Sequence, residues 1–187
     1  VKRIRPHQRI VEGASVSQPE GQPTFVVDAM LGNVAKWLRL LGYDTLYSKS
    51  FNDAQILSIA ARTGRVIVTN DRGLFARAAK KGLRAALVDE GDVARALAQL
   101  ASKGLITLAV DPSRSRCPIC NGRLVLVTDK NLIRGRVPPG ALARYDRFYM
   151  CTRCGHVYWE GTHWINIRRL VERAQLMVVR ESKPQGS

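Results

Sequence analysis

The sequence predicts an α/β protein in which a parallel sheet flanked by helices is followed by a small β-rich module and a C-terminal helix. Short apolar runs alternate with helical patterns over residues 24–110, and this alternation is typical of a parallel sheet covered on both faces. Two C-x-x-C pairs lie in residues 111–160, where helical signals are few. Apolar residues at helical spacing among arginines then predict a basic amphipathic helix over Ile165 to Leu176.

Four strands and four helices are expected in the larger domain. Each predicted strand is a short run of apolar or β-branched residues. The strands are expected at Thr24–Val27, Thr45–Tyr47, Val66–Thr69 and Ala85–Val88. The helices are expected at Leu31–Leu41, from Asn52 or Asp53 to Gly64, at Leu74–Lys80 and at Val93–Ser102.

The chain divides into three parts by composition. Residues 1–23 mix Gly, Ser, Pro and Gln with basic groups and are expected to form a flexible basic arm. Residues 24–110 form the larger domain, and residues 111–187 form the small module with the C-terminal helix. The arm lacks the apolar centre of a signal peptide, and no apolar run reaches the roughly 18 residues of a membrane span. A cytoplasmic protein with no membrane partner is therefore expected.

Basic residues exceed acidic residues by 30 to 15, which gives the chain a net charge of +15. The excess is spread over all parts of the chain and is not confined to one tail. A polyanionic partner is favoured, because displacing counterions from phosphates drives association with nucleic acid. A solubilising surface charge is the alternative, although solubility needs a smaller net charge than this.

Two C-x-x-C pairs, thirty residues apart, contain the four cysteines of the chain: Cys117, Cys120, Cys151 and Cys154. Four thiolates are the tetrahedral ligand set of a structural zinc site, at which we expect no catalysis. Asn121-Gly122 and Gly155 follow the two pairs, and they permit the tight turns that aim backbone N–H groups at the sulfurs. Disulfides are disfavoured in a chain expected in the cytoplasm, and iron is a minor alternative to zinc.

Acidic residues follow three of the predicted strands, at Asp28, Asp71 and Asp89. The carboxyl ends of parallel strands share one edge of a sheet, where ligands bind, and Asp53 at the start of the second helix can reach the same edge. Clustered carboxylates repel each other unless a cation joins them, and Mg²⁺ or Mn²⁺ suits such ligands. Ions of this kind generate the nucleophile in phosphodiester cleavage, so the pattern indicates a metal-dependent hydrolase.

Plain structural roles are the alternative for several acids. Asp53 and Asp71 stand where aspartate commonly caps a helix. Asp44, in Gly42-Tyr43-Asp44, is interpreted as a turn residue. Glu90 and Asp92 are interpreted as the first turn of a helix, where negative charge is favourable.

Three stretches of the chain carry a family resemblance. The first is Phe25-Val-Val-Asp28-Ala-Met-Leu-Gly32 with the following Ala35 to Asp44. The second is Val68 to Arg72, and the third comprises Arg116 to Gly122 with Tyr158 to Trp164. Together they resemble the PIN-like ribonuclease domain with a zinc ribbon found at the C-terminus of mut-seven exonucleases, except that Asn70 stands where that family usually has Arg. The resemblance covers about residues 24–176.

The resemblance implies a PIN-like fold and a divalent-metal ribonuclease. The metal ligands implied at matching positions are Asp28, Asp53 and Asp71, and Asp89 is a fourth catalytic candidate by its spacing. We therefore expect a Mg²⁺- or Mn²⁺-dependent ribonuclease whose zinc ribbon assists binding to RNA, including ribosomal or ribosome-associated RNA. The alternative is a non-catalytic RNA- or ribosome-binding protein that keeps the same fold and the zinc.

Several side chains are expected at the RNA. Lys36, Arg39 and Arg72 are expected either to hold phosphates or to form solvated helix surface. The arginines of the ribbon are expected to bind RNA outside the active site: Arg116, Arg123, Arg134, Arg136, Arg144, Arg147 and Arg153. Four aromatic residues are expected either to stack on bases or to pack in the core: Tyr149, Tyr158, Trp159 and Trp164.

Overall fold

The computed structural model describes residues 21–181, and its larger sheet has four parallel strands. The strands are β1 (Phe25–Val27), β2 (Thr45–Tyr47), β3 (Val66–Thr69) and β4 (Ala85–Leu87). Their order across the sheet is β2-β1-β3-β4, so the central strands are β1 and β3. The predicted parallel sheet is confirmed. All but the last three residues of the expected basic arm, residues 1–23, lie outside the described residues.

Helices follow the strands where local signals predict them. They are α1 (Gly32–Leu40), α2 (Asp53–Thr63), α3 (Arg72–Lys80) and α4 (Val93–Ser102). Asn52 caps α2 in a reciprocal capping box with Gln55, which settles the choice between Asn52 and Asp53 as the N-cap. Gly64 then ends α2 with a φ of 68°, a left-handed conformation that glycine adopts without strain.

Alternate residues of the central strands face two hydrophobic cores. Val26 and Ile67 pack with α2 and α3 on one face of the sheet. Phe25, Val27 and Val68 pack with α1 and α4 on the other face. Both faces of the sheet are therefore covered by helices.

The C-terminal half begins with a three-stranded antiparallel ribbon. Its strands are β5 (Leu124–Val127), β6 (Phe148–Cys151) and β7 (Val157–Trp159), with β6 in the centre. Between β5 and β6 lie a 3-10 turn, Lys130–Ile133, and a short helix, α5 (Pro139–Arg144), which the sequence did not predict. Pro139 occupies the first position of α5, where its missing N–H costs no hydrogen bond.

The last helix, α6 (Thr162–Glu181), is longer than the predicted Ile165–Leu176 and returns to the larger domain. Val171 and Ala174 are buried in the core that also contains α4. Arg173 forms an ion pair with Asp92 at the start of α4. The buried side chains of α6 thus pack in the core of the larger domain. None of the helices in residues 21–181 is long and apolar enough to cross a membrane.

Candidate active site and metal centre

Asp28 lies at the carboxyl end of central strand β1, and it is the most buried acid at that edge, with 8% of its surface exposed. Its backbone N–H donates to Val68 O at 3.0 Å, which fixes it beside strand β3. Its Oδ2 accepts a hydrogen bond from Thr69 Oγ1 at 2.7 Å. A buried carboxylate needs such a partner, and Thr69 provides it from the last position of β3.

Asp71 is linked to Asp28 through the same threonine. Thr69 Oγ1 accepts a hydrogen bond from the Asp71 backbone N–H at 2.9 Å while donating to Asp28. The Asp71 side chain is the N-cap of α3, and its Oδ1 accepts from Gly73 N and Leu74 N. Within residues 21–181, Oδ1 of Asp28 and Oδ2 of Asp71 accept no hydrogen bond. One oxygen of each carboxylate thus remains for another ligand.

Asp53 and Asp89 each contact a basic residue. Asp53 is the first residue of α2 and forms an ion pair with Arg77 of α3. Asp89 follows β4, and its Oδ2 accepts from Gln99 at 3.0 Å and lies 3.5 Å from Arg95. The four predicted acids therefore sit along one edge, yet their carboxylates do not converge to the spacing of a metal-ligand cluster in the described part of the chain.

Glu90 also lies at this edge, contrary to its interpretation as first-turn residue of a helix. Helix α4 begins at Val93 with Asp92 as its N-cap, so Glu90 stands outside the helix. Asn70 donates to Glu90 Oε2 at 2.6 Å and so joins the ends of β3 and β4. The sequence carries one signal for this contact. Asn70 stands where the family that the chain resembles usually has Arg, so a neutral amide replaces a cation at this position.

The four cysteines of the ribbon are positioned to bind one metal ion. The Sγ atoms of Cys117 and Cys154 are 3.6 Å apart, and those of Cys120 and Cys151 are 3.4 Å apart. All four sulfurs lie within 4.8 Å of one another, and none is in a disulfide. Zinc at about 2.3 Å from each sulfur of a tetrahedron places the sulfurs roughly 3.8 Å apart, so the set fits zinc. Among residues 21–181 it is the only group of three or more His, Cys, Asp or Glu side chains at such spacing.

The turns around the cysteines have the expected backbone geometry. Asn121 and Gly155 adopt positive φ values of 65° and 72°. A Cβ on Gly122 would lie 2.7 Å from Cys151 Sγ, so only glycine fits there. Burial opposes the thiolate form of Cys120, but the Gly122 backbone N–H and the neighbouring thiols lower the pKa of Cys120 to about 7. The Gly122 N–H thus favours the thiolate form of Cys120, which is the form that binds a metal ion.

A family model for the Mut7-C RNAse domain matches residues 23–171, which include both the acidic edge and the cysteine centre. The chain belongs to the Mut7-C RNAse domain family. Membership indicates a nuclease of the ribonuclease type, with RNA as the implied substrate. No curated protein and no solved structure matches the chain significantly.

The residues that match the Mut7-C family include both the parallel-sheet domain and the ribbon. Several hydrogen bonds join these two parts. Arg39 is 6% exposed, and its guanidinium donates to Thr45 O, to Pro118 O and to Ile119 O. Asn121 accepts from Thr45 N at 3.1 Å. The expectation that Arg39 holds phosphate or lies on solvated surface is therefore wrong, because the side chain is buried against the first cysteine turn.

Asp44 also takes part in the contact between the parallel-sheet domain and the ribbon, so it is not a simple turn residue. Its carboxylate pairs with Arg65 at 2.7 Å, lies 3.7 Å from Arg116, and accepts from Asn121 Nδ2 at 3.0 Å. Burial raises the pKa of Asp44, but these donors and positive charges outweigh burial and hold it below its ordinary value. Arg116 was expected to bind RNA, and this ion pair instead places it inside the joint.

Other basic residues of the Mut7-C domain remain exposed. Lys36 on α1 and Arg72 on α3 are exposed, and so are five ribbon arginines with no ion pair in the described residues: Arg134, Arg136, Arg144, Arg147 and Arg153. Arg123 is exposed as well. Of the aromatic candidates, Tyr149 is buried, and Trp159 packs on Phe148 with ring centroids 6.2 Å apart. Core packing therefore accounts for these two rings.

Proposed function

We propose that this chain is a divalent-metal-dependent ribonuclease with a PIN-like active site that hydrolyses RNA phosphodiester bonds. The observation that carries the proposal is the buried Asp28, held by Thr69 and joined through it to Asp71 at the carboxyl ends of the two central strands. A carboxylate this buried needs a reason beyond capping, since it begins only a three-residue 3-10 turn with no cap hydrogen bond from its side chain. Membership of a ribonuclease family supplies the reaction class.

The residues at this edge suit a hard cation. Oδ1 of Asp28 and Oδ2 of Asp71 are carboxylate oxygens without a hydrogen-bond donor in residues 21–181, and carboxylate oxygens are the ligands that Mg²⁺ and Mn²⁺ prefer. The ion, when bound, supplies an activated water and a positive charge near the leaving oxygen. Thr69 orients the Asp28 carboxylate, and the α3 cap orients that of Asp71.

Asp53 and Asp89 take secondary places in the proposed site. The carboxylate of Asp53 is engaged by Arg77, and that of Asp89 by Arg95 and Gln99. Movement of either acid toward a cation between Asp28 and Asp71 would weaken the contact with its basic partner. The ion pairs are exposed, and exposed pairs contribute only about 0–1 kcal/mol, so such an exchange is inexpensive.

Exposed basic groups would hold the RNA. Lys36 and Arg72 lie on the helices that follow Asp28 and Asp71, so they are proposed to contact phosphates next to the scissile bond. The zinc ribbon, with its exposed arginines, is proposed to bind the strand outside the active site. The net charge of +15 supports a polyanionic partner of this kind, including ribosomal RNA.

The test is cleavage of labelled single-stranded and hairpin RNA by the purified chain, with Mn²⁺, with Mg²⁺, and in buffer free of both. We expect cleavage only with a divalent ion, and an Asp28→Asn loss of about 100-fold or more. The matched control is Glu172→Gln, which makes the same charge change on an exposed residue of α6. Undiminished cleavage by Asp28→Asn protein would refute the assigned site.

A non-catalytic RNA-binding protein is the second candidate, and one observation favours it. Asp53 and Asp71 each have a complete structural role, as an ion-pair partner and as a helix cap. Under this function the chain binds RNA, no divalent ion promotes cleavage, and Asp28→Asn leaves RNA affinity unchanged.

A further inference from the structure

The segment between β5 and β6 contains a cavity of about 580 Å³ that no role assigned above uses. Its lining has an apolar part formed by Val137, Pro139, Leu142 and Ala143. The remaining side chains that line it are basic, Lys130 and Arg134. The lining of the cavity therefore combines apolar side chains with two basic side chains.

Core packing, a backbone bridge and a side-chain hydrogen bond support the lining of the cavity. Ile133 and Val137 are buried in the ribbon core, and Arg134 and Val137 are bridged through their backbones. Lys130 Nζ donates to Leu142 O at 3.0 Å, which ties the 3-10 turn to α5. Preformed cavities of this size, lined mostly by apolar atoms with a few polar groups, are typical of ligand sites.

The charge of the same segment favours a polyanion. Residues 128–147 contain five basic groups and only two acids, Asp129 and Asp146. Asp146 neutralises Lys130 at 2.9 Å, whereas Arg134, Arg136, Arg144 and Arg147 form no ion pair within residues 21–181. A ligand that matches both features carries an apolar surface next to a negative charge.

An unpaired nucleotide is the ligand that combines these properties. Its base is a flat ring system that apolar surfaces and guanidinium planes accept, and its phosphate is an anion for Arg134. A duplex presents phosphates but keeps its bases stacked inside, so it places no base in a cavity.

We propose that this cavity receives one unpaired base of the RNA while Arg134 binds the adjacent phosphate. The inference rests on the proposed function for the identity of the polyanion, and it adds a preference for single-stranded segments. It places the base-binding subsite in the ribbon, outside the acidic edge.

The experiment measures RNA affinity by fluorescence anisotropy with the full chain carrying Asp28→Asn, so that cleavage does not interfere. The probes are a short single-stranded RNA, the same strand with abasic nucleotides, and the corresponding duplex. We expect the normal single strand to bind about tenfold more tightly than the abasic strand, as one stacked base contributes in other proteins.

Two variants separate the base from the phosphate. Leu142→Trp narrows the cavity without a change of charge and is expected to weaken binding of the normal strand about tenfold, with the abasic strand unaffected. Arg134→Gln is expected to weaken both strands and to reduce the slope of log affinity against log salt by about 0.7. Controls are Leu132→Trp, at a leucine that is 47% exposed and does not line the cavity, and Arg168→Gln on α6.

Equal binding of normal and abasic RNA, or a Leu142→Trp protein that binds like its parent, would overturn the proposal. If Leu142→Trp does not fold, Ala143→Leu is a milder filling of the same cavity and gives the same comparison. Cleavage by the unmodified chain is scored separately. If the chain cleaves RNA but binds normal and abasic strands equally, only the cavity proposal is refuted. If it binds the normal strand more tightly but does not cleave RNA, only the proposed ribonuclease activity is refuted.

Discussion

The guanidinium of Arg39 donates a hydrogen bond of 3.0 Å to the carbonyl oxygen of Pro118, a residue between two metal-binding cysteines. It also donates to Thr45 O, so one buried side chain joins α1, β2 and the first cysteine turn. The ribbon is thus joined to the larger domain through a buried, hydrogen-bonded side chain.

Replacement of Arg39 by Met is expected to destabilise the whole protein. The change keeps the aliphatic stem but leaves buried carbonyls of Thr45 and Pro118 without donors, at a cost of about 3 kcal/mol. Thermal unfolding followed by circular dichroism measures the loss, and zinc release under chelator should become faster. Arg62→Met on α2, where the side chain is exposed, serves as the control and should change stability little. An Arg39→Met protein with unchanged zinc retention would show that the joint does not couple ribbon and sheet.

The elements of the larger domain follow closely from local sequence. Strands β2 and β3 and helix α4 have the predicted bounds, because β-branched runs, caps and helical spacing act over a few neighbouring residues. Helix α5 was missed because its start, Pro138-Pro139, reads as a break unless the second proline is placed at the first helical position.

Local sequence patterns do not predict contacts between residues that are far apart in the chain. Arg39 and Pro118 are 79 positions apart, and no local pattern brings them together. One signal was present, since Arg39 follows Ala35 by one helical turn and so falls on the buried face of α1. In the candidate site, the positions of Asp28 and Asp71 after their strands were predictable. Tertiary packing, in contrast, determines that Thr69 donates a hydrogen bond to Asp28 and that Asp53 forms an ion pair with Arg77.

Gly122→Ala is expected to weaken zinc binding. The new Cβ would lie 2.7 Å from Cys151 Sγ and 2.8 Å from Arg153 Cβ, so the second cysteine turn must move. Displacement of the groups that surround metal ligands lowers metal affinity by about 10–100-fold. Competition with a chromophoric chelator measures the zinc affinity of the variant. Gly140→Ala in α5, where a Cβ meets nothing within 4 Å, is the matched control. Equal zinc affinity in both variants would contradict the close packing of the cysteine turns.

Asp44 should make the stability of the protein depend on pH in the acid range. Its pKa is lowered from 3.8 in the folded state, so the stabilisation is complete above about pH 4 and is lost as the pH falls through the lower folded value. Asp44→Asn should cost about 1–2 kcal/mol at pH 7, and this difference should shrink as the pH falls below 4. Thermal melts of both proteins at several pH values measure it. Protonation of the cysteines affects both proteins alike, so it does not contribute to the difference in stability between them. A difference in stability that stays constant with pH would exclude the proposed role of Asp44.

Thr69→Val should separate positioning of the acids from general stability. The substitution preserves shape in a fully buried position but removes the donor to Asp28 and the acceptor for Asp71 N–H. We expect a loss of about 1–3 kcal/mol of stability and a 10–100-fold loss of Mn²⁺ affinity or RNA cleavage, with Thr69→Ser close to the unchanged chain. Thr45→Val is the matched control, because Thr45 is equally buried and its hydroxyl bonds only the carbonyl of Tyr43. Thr45→Val should lose stability without losing Mn²⁺ affinity. If both valine variants lose Mn²⁺ affinity alike, the effect of Thr69 is one of stability alone, and Asp28 does not depend on it for orientation.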